Sequence, residues 1–299
     1  MVKLIFTLFF LTALGITVYL VILLLRSQPV TRRMKLACCF GFAISLLVYM
    51  YVIEPNWIAV ERVTIHNARL AAVLVGTRVV QISDLHVGDR PRLLDESLVR
   101  TVNDLRPDLV LITGDFVSDK EGKETAVEVT RQLKAKLGKF GVPGNNDNYR
   151  FMPGEMRKLF PSAEVTILVN EHRRIPLPNG QILNLAGVND PVTGQAQIDA
   201  ALAGIPDGEP VVMLAHSPEF LRVAAGRGVD LLLVGHTHGG QIGWPWLMRR
   251  FRVVDDVDAI EGLHLAGQTA MYINRGIGTT TLPFRFLCRP EVTLFEFVY

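Results

Sequence analysis

The sequence DLLLVGHTH, residues 230–238, passes from an apolar run directly into two histidines. Four more apolar runs lead into Asp, His or Asn side chains: RVVQIS before Asp84 and His86, DLVLIT before Asp115, FGVP before Asn145, and VVMLA before His216. Short runs of this kind are typical of central strands that are buried on both faces. Open α/β sheets bind their ligands beyond the carboxyl ends of such strands. We therefore predict an α/β fold whose polar residues meet at the strand ends.

Seven of these polar residues are of types that commonly serve as metal ligands in proteins: Asp84, His86, Asp115, Asn145, His216, His236 and His238. Carboxylate, amide and imidazole ligands together suit Mn²⁺, Fe²⁺, Zn²⁺ or Co²⁺, and the lack of thiolate argues against a structural zinc site. The two imidazoles at positions 236 and 238 are the most specific feature of the set. The lone histidines are interpreted as structural or exposed: His66, His172 and His264.

Amphipathic segments between these runs predict helices. Leu94, Leu98 and Val102 form an apolar stripe that opens near two acidic residues and stops before Pro107. Strands that alternate with helices imply right-handed crossovers and a largely parallel sheet. The second half adds the strand-like runs ILNLAGV, MYINRGI and EVTLFEFVY, which are more strands than one sheet needs. We therefore expect two stacked sheets flanked by helices.

The N-terminal part of the chain predicts a membrane anchor. Of the 299 residues, 49% are hydrophobic, and the mean hydropathy is +0.28. Residues 4–25 are uncharged and would form a helix of about 33 Å, which is enough to cross a bilayer core of about 30 Å. Residues 36–53 form a second, shorter candidate span. A short basic loop between them, with Arg26, Arg32, Arg33 and Lys35, predicts by the positive-inside rule that this loop is cytoplasmic.

We thus predict a membrane anchor over residues 1–58 and a catalytic domain outside the cytoplasm over residues 59–299. A cleaved signal peptide or a twin-arginine export segment would also export the domain. A hairpin lying in the interface would instead leave the domain in the cytoplasm. Cys38, Cys39 and Cys288 form no recognisable disulfide framework. The net charge of +2 and the lack of a basic stripe argue against nucleic acid as a partner, and the sequence leaves the oligomeric state open.

The motifs DLH, GD, GN, AH and GHTH, in this order, resemble those of the calcineurin-like metallophosphoesterases. The resemblance implies a four-layer α/β/β/α sandwich, here preceded by two transmembrane helices, and a site with two divalent metal ions. Asp84, His86 and His238 would hold one ion, Asn145, His216 and His236 would hold the other, and Asp115 would bridge both. A metal-bridging hydroxide would then attack a phosphodiester or pyrophosphate bond.

The N-terminal apolar segments and the ending NRGIGTT with FRFLCRPEVTLFEF resemble the membrane-associated bacterial branch that includes YaeI-type phosphodiesterases. This narrower resemblance implies a multi-pass protein of the bacterial inner membrane. The substrate is then expected to be a phosphorylated small molecule or a lipid, because anchoring raises the local concentration of lipid substrates. The alternative is a noncatalytic, metal-containing protein that binds a phospholipid or a phosphosugar.

Asn146 departs from the family pattern, which usually has His after the ligand Asn. An amide donates hydrogen bonds but cannot act as a general acid, so we expect good leaving groups to be favoured, unless another acid takes over. Substrate contacts are predicted at Asn145, Asn146 and Arg275. The stretch QIGWPWLMRRFRV, which begins at Gln241, is interpreted as a wall of the site for an acyl chain and anionic headgroup, or as a packed cap loop.

Overall fold

The computed structural model describes residues 29–89, 92–152, 154–243 and 260–299, together with Gly15, Val18, Tyr19 and Ile22. The chain divides into two compact units, Met1–Tyr51 and Val52–Tyr299. The second unit begins seven residues before position 59, where the sequence predicted the catalytic domain to begin. The first predicted span, residues 4–25, lies largely outside the described residues.

An apolar helix precedes the catalytic domain. Helix α1 covers Val30–Val48 and continues as a π-helix, Tyr49–Ile53, and a 3-10 turn, Glu54–Asn56. Over the described ranges, Val30–Asn56 is the one helix long and apolar enough to cross a membrane, and an 18-residue window within it has a mean hydropathy of 2.3. The second predicted span thus falls within a helix, whereas the expectation of two transmembrane helices is not confirmed.

The predicted basic loop is shorter than the sequence suggested. Helix α1 begins directly after Pro29, so Arg32, Arg33 and Lys35 lie in its first turns. Proline cannot donate a backbone hydrogen bond, and it is tolerated at a helix start, where the first N–H groups have no partner anyway. The helix therefore begins just after Pro29 and includes the basic residues that follow it.

The first sheet contains six strands in the order β1-β12-β2-β3-β4-β5. β2, β3, β4 and β5 are parallel neighbours, and β12 pairs parallel with β1 and antiparallel with β2. The strands are β1 Ala59–His66, β2 Val79–Ile82, β3 Leu109–Thr113, β4 Gly138–Val142, β5 Val165–Ile167 and β12 Glu291–Val298.

The second sheet also contains six strands, in the order β10-β11-β9-β8-β7-β6. Its four inner strands are parallel, and the two edge strands, β10 and β6, are antiparallel to their neighbours. The strands are β6 Glu171–Pro176, β7 Ile182–Gly187, β8 Val211–Leu214, β9 Leu231–Val234, β10 Gly262–Ala266 and β11 Thr269–Ile273.

The helices of the catalytic domain are short except for α3. They are α2 Ala68–Leu74, α3 Leu93–Asp104, α4 Lys123–Arg131, α5 Asn145–Arg150, α6 Glu155–Leu159, α7 Ile198–Leu202 and α8 Leu221–Ala224. The Asp95 carboxylate accepts the backbone N–H of Arg92 at 2.7 Å and fixes the start of α3. The predicted stripe of α3 is buried, as expected.

Three buried apolar clusters separate the layers. One lies between the sheets and joins side chains of β3, such as Leu109 and Leu111, to Leu231 and Leu233 of β9. A second packs α3 onto the outer face of the first sheet, and a third covers the outer face of the second sheet. This arrangement of two mixed sheets between helices matches the fold predicted from the sequence, and it brings the strand ends of both sheets together.

Candidate metal centre

Each predicted ligand lies within a few residues of a strand end, and Asn145 is the first residue of α5. Asp84 follows β2, Asp115 follows β3, and His216 follows β8, each by two residues. The first loops are held side by side because the backbone N–H of Asp84 donates to Gly114 at 2.9 Å, and that of His86 donates to Asp115 at 3.0 Å. The fold therefore places residues from five separate strands around one point.

A first group of buried side chains consists of Asp84, His86 and His238. Their ligand atoms all lie within 4.8 Å of one another. The Nε2 atoms of His86 and His238 are 3.1 Å apart, and His238 Nε2 is 3.4 Å from Asp84 Oδ1. This is the set that the family resemblance assigns to one metal ion.

Asp115 lies between that group and a second one. Its Oδ2 atom is 3.5 Å from His86 Nε2 and 3.5 Å from His216 Nε2. On the far side, His216 Nε2 is 3.0 Å from Asn145 Oδ1 and 3.1 Å from His236 Nδ1. All seven predicted ligands are thus brought together, with the Asp115 carboxylate in the middle.

Several atoms of the cluster are hydrogen-bond acceptors that face one another, an arrangement that suits bound cations. His216 Nδ1 lies 2.8 Å from the Thr113 carbonyl oxygen, which only accepts, so Nδ1 carries a proton, and in the neutral ring Nε2 presents a lone pair. That lone pair faces two further acceptors, Asn145 Oδ1 and Asp115 Oδ2. Among the described residues, the buried Asp84 Oδ1 has no hydrogen-bond partner. Divalent cations would satisfy these acceptors.

The charge of the buried carboxylates affects the protonation of the neighbouring imidazoles. Burial opposes the charged form of His216, but the adjacent Asp115 carboxylate outweighs it and raises the pKa of His216 to about 10. For His238, burial and the nearby His86 lower the pKa well below its usual value. Burial also disfavours the charged form of Asp84 and so raises its pKa. A cation that binds His216 Nε2 would therefore compete with the proton on that atom.

The backbone of the site is strained. Five of the seven predicted ligands are non-glycine residues with positive φ: Asp84 (51°), His86 (45°), Asp115 (52°), His236 (73°) and His238 (53°). The left-handed region costs about 1–2 kcal/mol for a residue with a Cβ atom. Such strain persists where the surrounding structure fixes the backbone, and it is typical of functional sites.

Glycines allow the loops to approach closely. A Cβ atom on Gly114, whose φ is +90°, would lie 2.5 Å from His216 Nδ1. A Cβ atom on Gly144 would lie 2.3 Å from Asp115 Oδ1. These two positions therefore need glycine because they lie against the predicted ligands.

Asn146 contacts the central carboxylate. Its backbone N–H donates to Asp115 Oδ1 at 2.8 Å, and its side-chain amide donates to Asp115 Oδ2 at 2.7 Å. Asp147, which the sequence reasoning did not select, is fully buried and accepts the backbone N–H groups of Phe116 and Gly144, each at 2.9 Å. It ties the loop after β3 to the loop after β4. Its place three residues after Gly144, at the start of α5, was a capping pattern that the sequence contained.

A second support for the ligand loops comes from Arg285. The buried Arg285 guanidinium donates to the carbonyl oxygens of Gly276 and Gly278 at 3.0 and 2.6 Å. These glycines pack on two predicted ligands: a Cβ atom on Gly276 would lie 2.7 Å from Asp84 Cβ, and one on Gly278 would lie 2.6 Å from His86 Cβ.

The same segment is tied to the end of the apolar helix. The fully buried Glu54 carboxylate accepts the backbone N–H groups of Leu287, at 2.8 Å, and Cys288. The Cys288 thiol in turn donates to the backbone carbonyl of His238 at 3.3 Å. Glu54 therefore connects the segment just after the predicted span with the metal-ligand loop after β9.

Other predicted residues lie elsewhere. The Arg275 guanidinium pairs with three carboxylates, those of Glu61 at 2.5 Å, Glu291 at 2.8 Å and Glu261 at 3.4 Å. His172 and His264 contact backbone carbonyls outside the cluster, in agreement with the structural interpretation. Most of the aromatic and basic stretch that begins at Gln241 lies outside the described residues.

Two stacked sheets with this ligand set at their strand ends define a metal-dependent phosphoesterase. The chain belongs to the calcineurin-like phosphoesterase family, whose sequence model matches residues 77–240. It is 32% identical to the phosphodiesterase YaeI of Escherichia coli over 84% of this chain and 92% of that protein.

Two further relatives have informative names. The chain is 30% identical, over 83% of its length, to a transmembrane protein with metallophosphoesterase domain from Danio rerio, of which it covers 59%. It is 25% identical to the UDP-2,3-diacylglucosamine pyrophosphatase LpxG of Chlamydia trachomatis, over 83% of this chain and 91% of that protein. Relatives with phosphodiesterase and pyrophosphatase names support a metal-dependent hydrolase, and the apolar N-terminal helix suggests membrane association.

Proposed function

We propose that the protein is a membrane-tethered phosphohydrolase with two metal ions, which cleaves phosphodiester or pyrophosphate bonds. The observation that supports this most is the position of Asp115. Its Oδ2 atom is equally distant from imidazoles of the two ligand groups, and two nearby dications need a shared anion because they repel each other.

The ligand sets proposed for the two ions are those the family resemblance implies. Asp84, His86 and His238 would hold one ion, and Asn145, His216 and His236 would hold the other. When bound, such ions act as Lewis acids that lower the pKa of a coordinated water toward about 7 and neutralise phosphoryl charge. The protein itself contributes a buried, strained and hydrogen-bonded ligand framework.

Asn146 sets the leaving-group preference in this proposal. Its amide N–H groups are turned toward Asp115, so the residue orients the bridging carboxylate and supplies no proton. Pyrophosphates and aryl diesters are then the preferred substrate bonds, because their leaving groups depart as anions without general acid help. The pyrophosphatase name of LpxG is consistent with an anhydride substrate.

A membrane location is proposed from the apolar helix. Val30–Asn56 has the length and composition of a span, and the basic residues at its start favour the cytoplasmic side there. The catalytic domain would then lie outside the cytoplasm of a bacterial inner membrane. A lipid-linked substrate is part of this proposal. A fusion at Tyr299 of a reporter active only outside the cytoplasm tests it, and an inactive reporter would reverse the assigned side.

Turnover of bis(4-nitrophenyl) phosphate tests the enzymatic proposal. The full chain in detergent should hydrolyse it with Mn²⁺ and lose activity on chelation. Asp115→Asn should abolish hydrolysis at nearly constant side-chain volume, whereas the control Asp104→Asn, on an exposed face of α3, should not. If the wild type binds Mn²⁺ but turns over neither this diester nor a pyrophosphate, the alternative of a noncatalytic phospholipid or phosphosugar binder replaces the proposal.

A further inference from the structure

A cavity of about 460 Å³ lies beside the metal centre and is unused by the chemistry described above. It is lined by Pro143 after β4, by Phe151 and Met152 after α5, and by residues that follow β5 and β7. Its volume is in the range of small-molecule sites, about 300–1,000 Å³.

The cavity shares an element with the metal centre. Pro143 and Asn148, which line it, flank the predicted ligand Asn145 and the adjacent Asn146 in the chain. Asn148 lies one helical turn after Asn145, about 4.5 Å along the axis of α5. A group attached to a phosphate at the metal centre is therefore within short reach of the cavity.

The polar lining is made of neutral amides and a hydroxyl. The amide of Asn148 donates to Asn189 Oδ1 at 3.1 Å and to Thr193 Oγ1 at 3.2 Å, which closes one side. Asn170 Oδ1 accepts the backbone N–H groups of Asn189 and Gln197, each at 3.0 Å, which fixes the loop after β7. The lining is thus ordered by its own hydrogen bonds.

Two amides remain available to a ligand. Within the described part of the chain, the side chains of Gln195 and Gln197 have no hydrogen-bond partner. Arg157, the charged residue of the lining, is paired with Glu171 at 2.7 Å. Phe151 and Met156 give the cavity an apolar side. Unpaired amides beside an apolar wall suit a neutral ring with hydrogen-bonding substituents, and they offer no charge to a second phosphate or an ammonium group.

We propose that this cavity binds a neutral, hydrogen-bonding ring carried by the substrate phosphate, of the class of a sugar or a nucleoside. The inference rests on the proposed function, because the metal centre must hold the phosphate, and it deepens that function by naming a substrate class. The cavity then determines specificity, while the cleavage step stays with the metal ligands.

Equilibrium titration of the full chain in detergent with Mn²⁺ tests the inference without requiring turnover. Uridine 5′-phosphate and glucose 1-phosphate are compared with inorganic phosphate. At least one of the two should bind about 10-fold more tightly than phosphate, and which one does so separates the nucleoside from the sugar. If neither binds more tightly than phosphate, the inference is wrong.

A double variant, Gln195→Leu with Gln197→Leu, assigns the preference to the cavity. Both side chains are exposed, so folding should be unaffected. Affinity for the ring-bearing ligand should fall about 10-fold, as expected for two neutral hydrogen bonds, while that for phosphate should not change. The control Gln181→Leu, at the exposed turn before β7, should leave both unchanged. Unchanged preference in the double variant would place the ring elsewhere. Failure of the enzymatic proposal would show separately, as absent diester turnover.

Discussion

Replacing Glu54 with Gln should weaken the metal centre through the hydrogen bonds that Glu54 makes with the C-terminal segment. Glu54 is fully buried, and its carboxylate accepts two backbone N–H groups, those of Leu287 and Cys288. Gln keeps one acceptor oxygen and presents its amide NH2 group, a donor, to the second N–H. One charged hydrogen bond is lost, worth about 1.5–3 kcal/mol.

This magnitude is large enough to measure. For a domain of this size, about 1 kcal/mol corresponds to about 2–4 °C in Tm, so Glu54→Gln should lower the Tm of the metal-free chain by about 3–12 °C. Because the Cys288 thiol donates to the backbone carbonyl of His238, Mn²⁺ affinity should fall as well. Loss of a residue that hydrogen-bonds to a metal ligand typically lowers metal affinity by roughly 10–100-fold, and we expect an effect within that range.

The assay is thermal unfolding in detergent, with and without Mn²⁺, followed by Mn²⁺ titration. Glu96→Gln, on the exposed face of α3, is the matched control and should change neither quantity. A fragment that begins at residue 59 lacks Glu54 and should show the same loss, whereas one that begins at Val52 should not. An unchanged Tm and unchanged Mn²⁺ affinity in Glu54→Gln would refute the coupling of Glu54 to the site.

Three further predictions concern the ligand loops. Mn²⁺ affinity should rise with pH up to about 10, because the raised pKa of His216 means that a cation competes with its proton; a pH-independent affinity in calorimetric titrations would contradict this. Gly144→Ala should reduce Mn²⁺ binding and turnover, because the new methyl group would lie 2.3 Å from Asp115 Oδ1, and normal values of both would show that the loop yields freely. Asn146→His should speed alkyl diesters over nitrophenyl diesters, by up to about 10²–10⁴ if the imidazole acts as an acid; equal effects in parallel rate measurements would mean that the position only orients Asp115.

Much of the site could be predicted because it is local in sequence. His236 and His238 directly follow the apolar strand β9, and each of the other predicted ligands likewise follows a strand. A short apolar stretch and the polar residue that follows it can be recognised in the sequence without knowledge of tertiary contacts. The stacking of two sheets also followed from the strand count alone.

What the sequence did not predict depends on distant contacts. Glu54 meets Cys288 across 234 positions, and a single acidic residue at the end of an apolar segment gives no pattern that predicts such a contact. Val129, Leu133 and Leu137 are spaced four residues apart, as on one face of a helix, but α4 ends at Arg131. Leu133 packs on the helix side of the first sheet and Leu137 beside the cluster between the sheets, so tertiary packing overrides the helical period.

The central claim is that Asp115 joins two metal ions, and paramagnetic resonance of the Mn²⁺-loaded full chain tests it most directly. The account predicts two Mn²⁺ per chain with an exchange-coupled spectrum in the wild type, because the Asp115 carboxylate lies between both ligand groups. In Asp115→Asn the coupling should disappear together with diester hydrolysis. A wild type that binds a single uncoupled ion at saturation, or an Asp115→Asn variant that keeps the coupled pair and its turnover, would contradict the account.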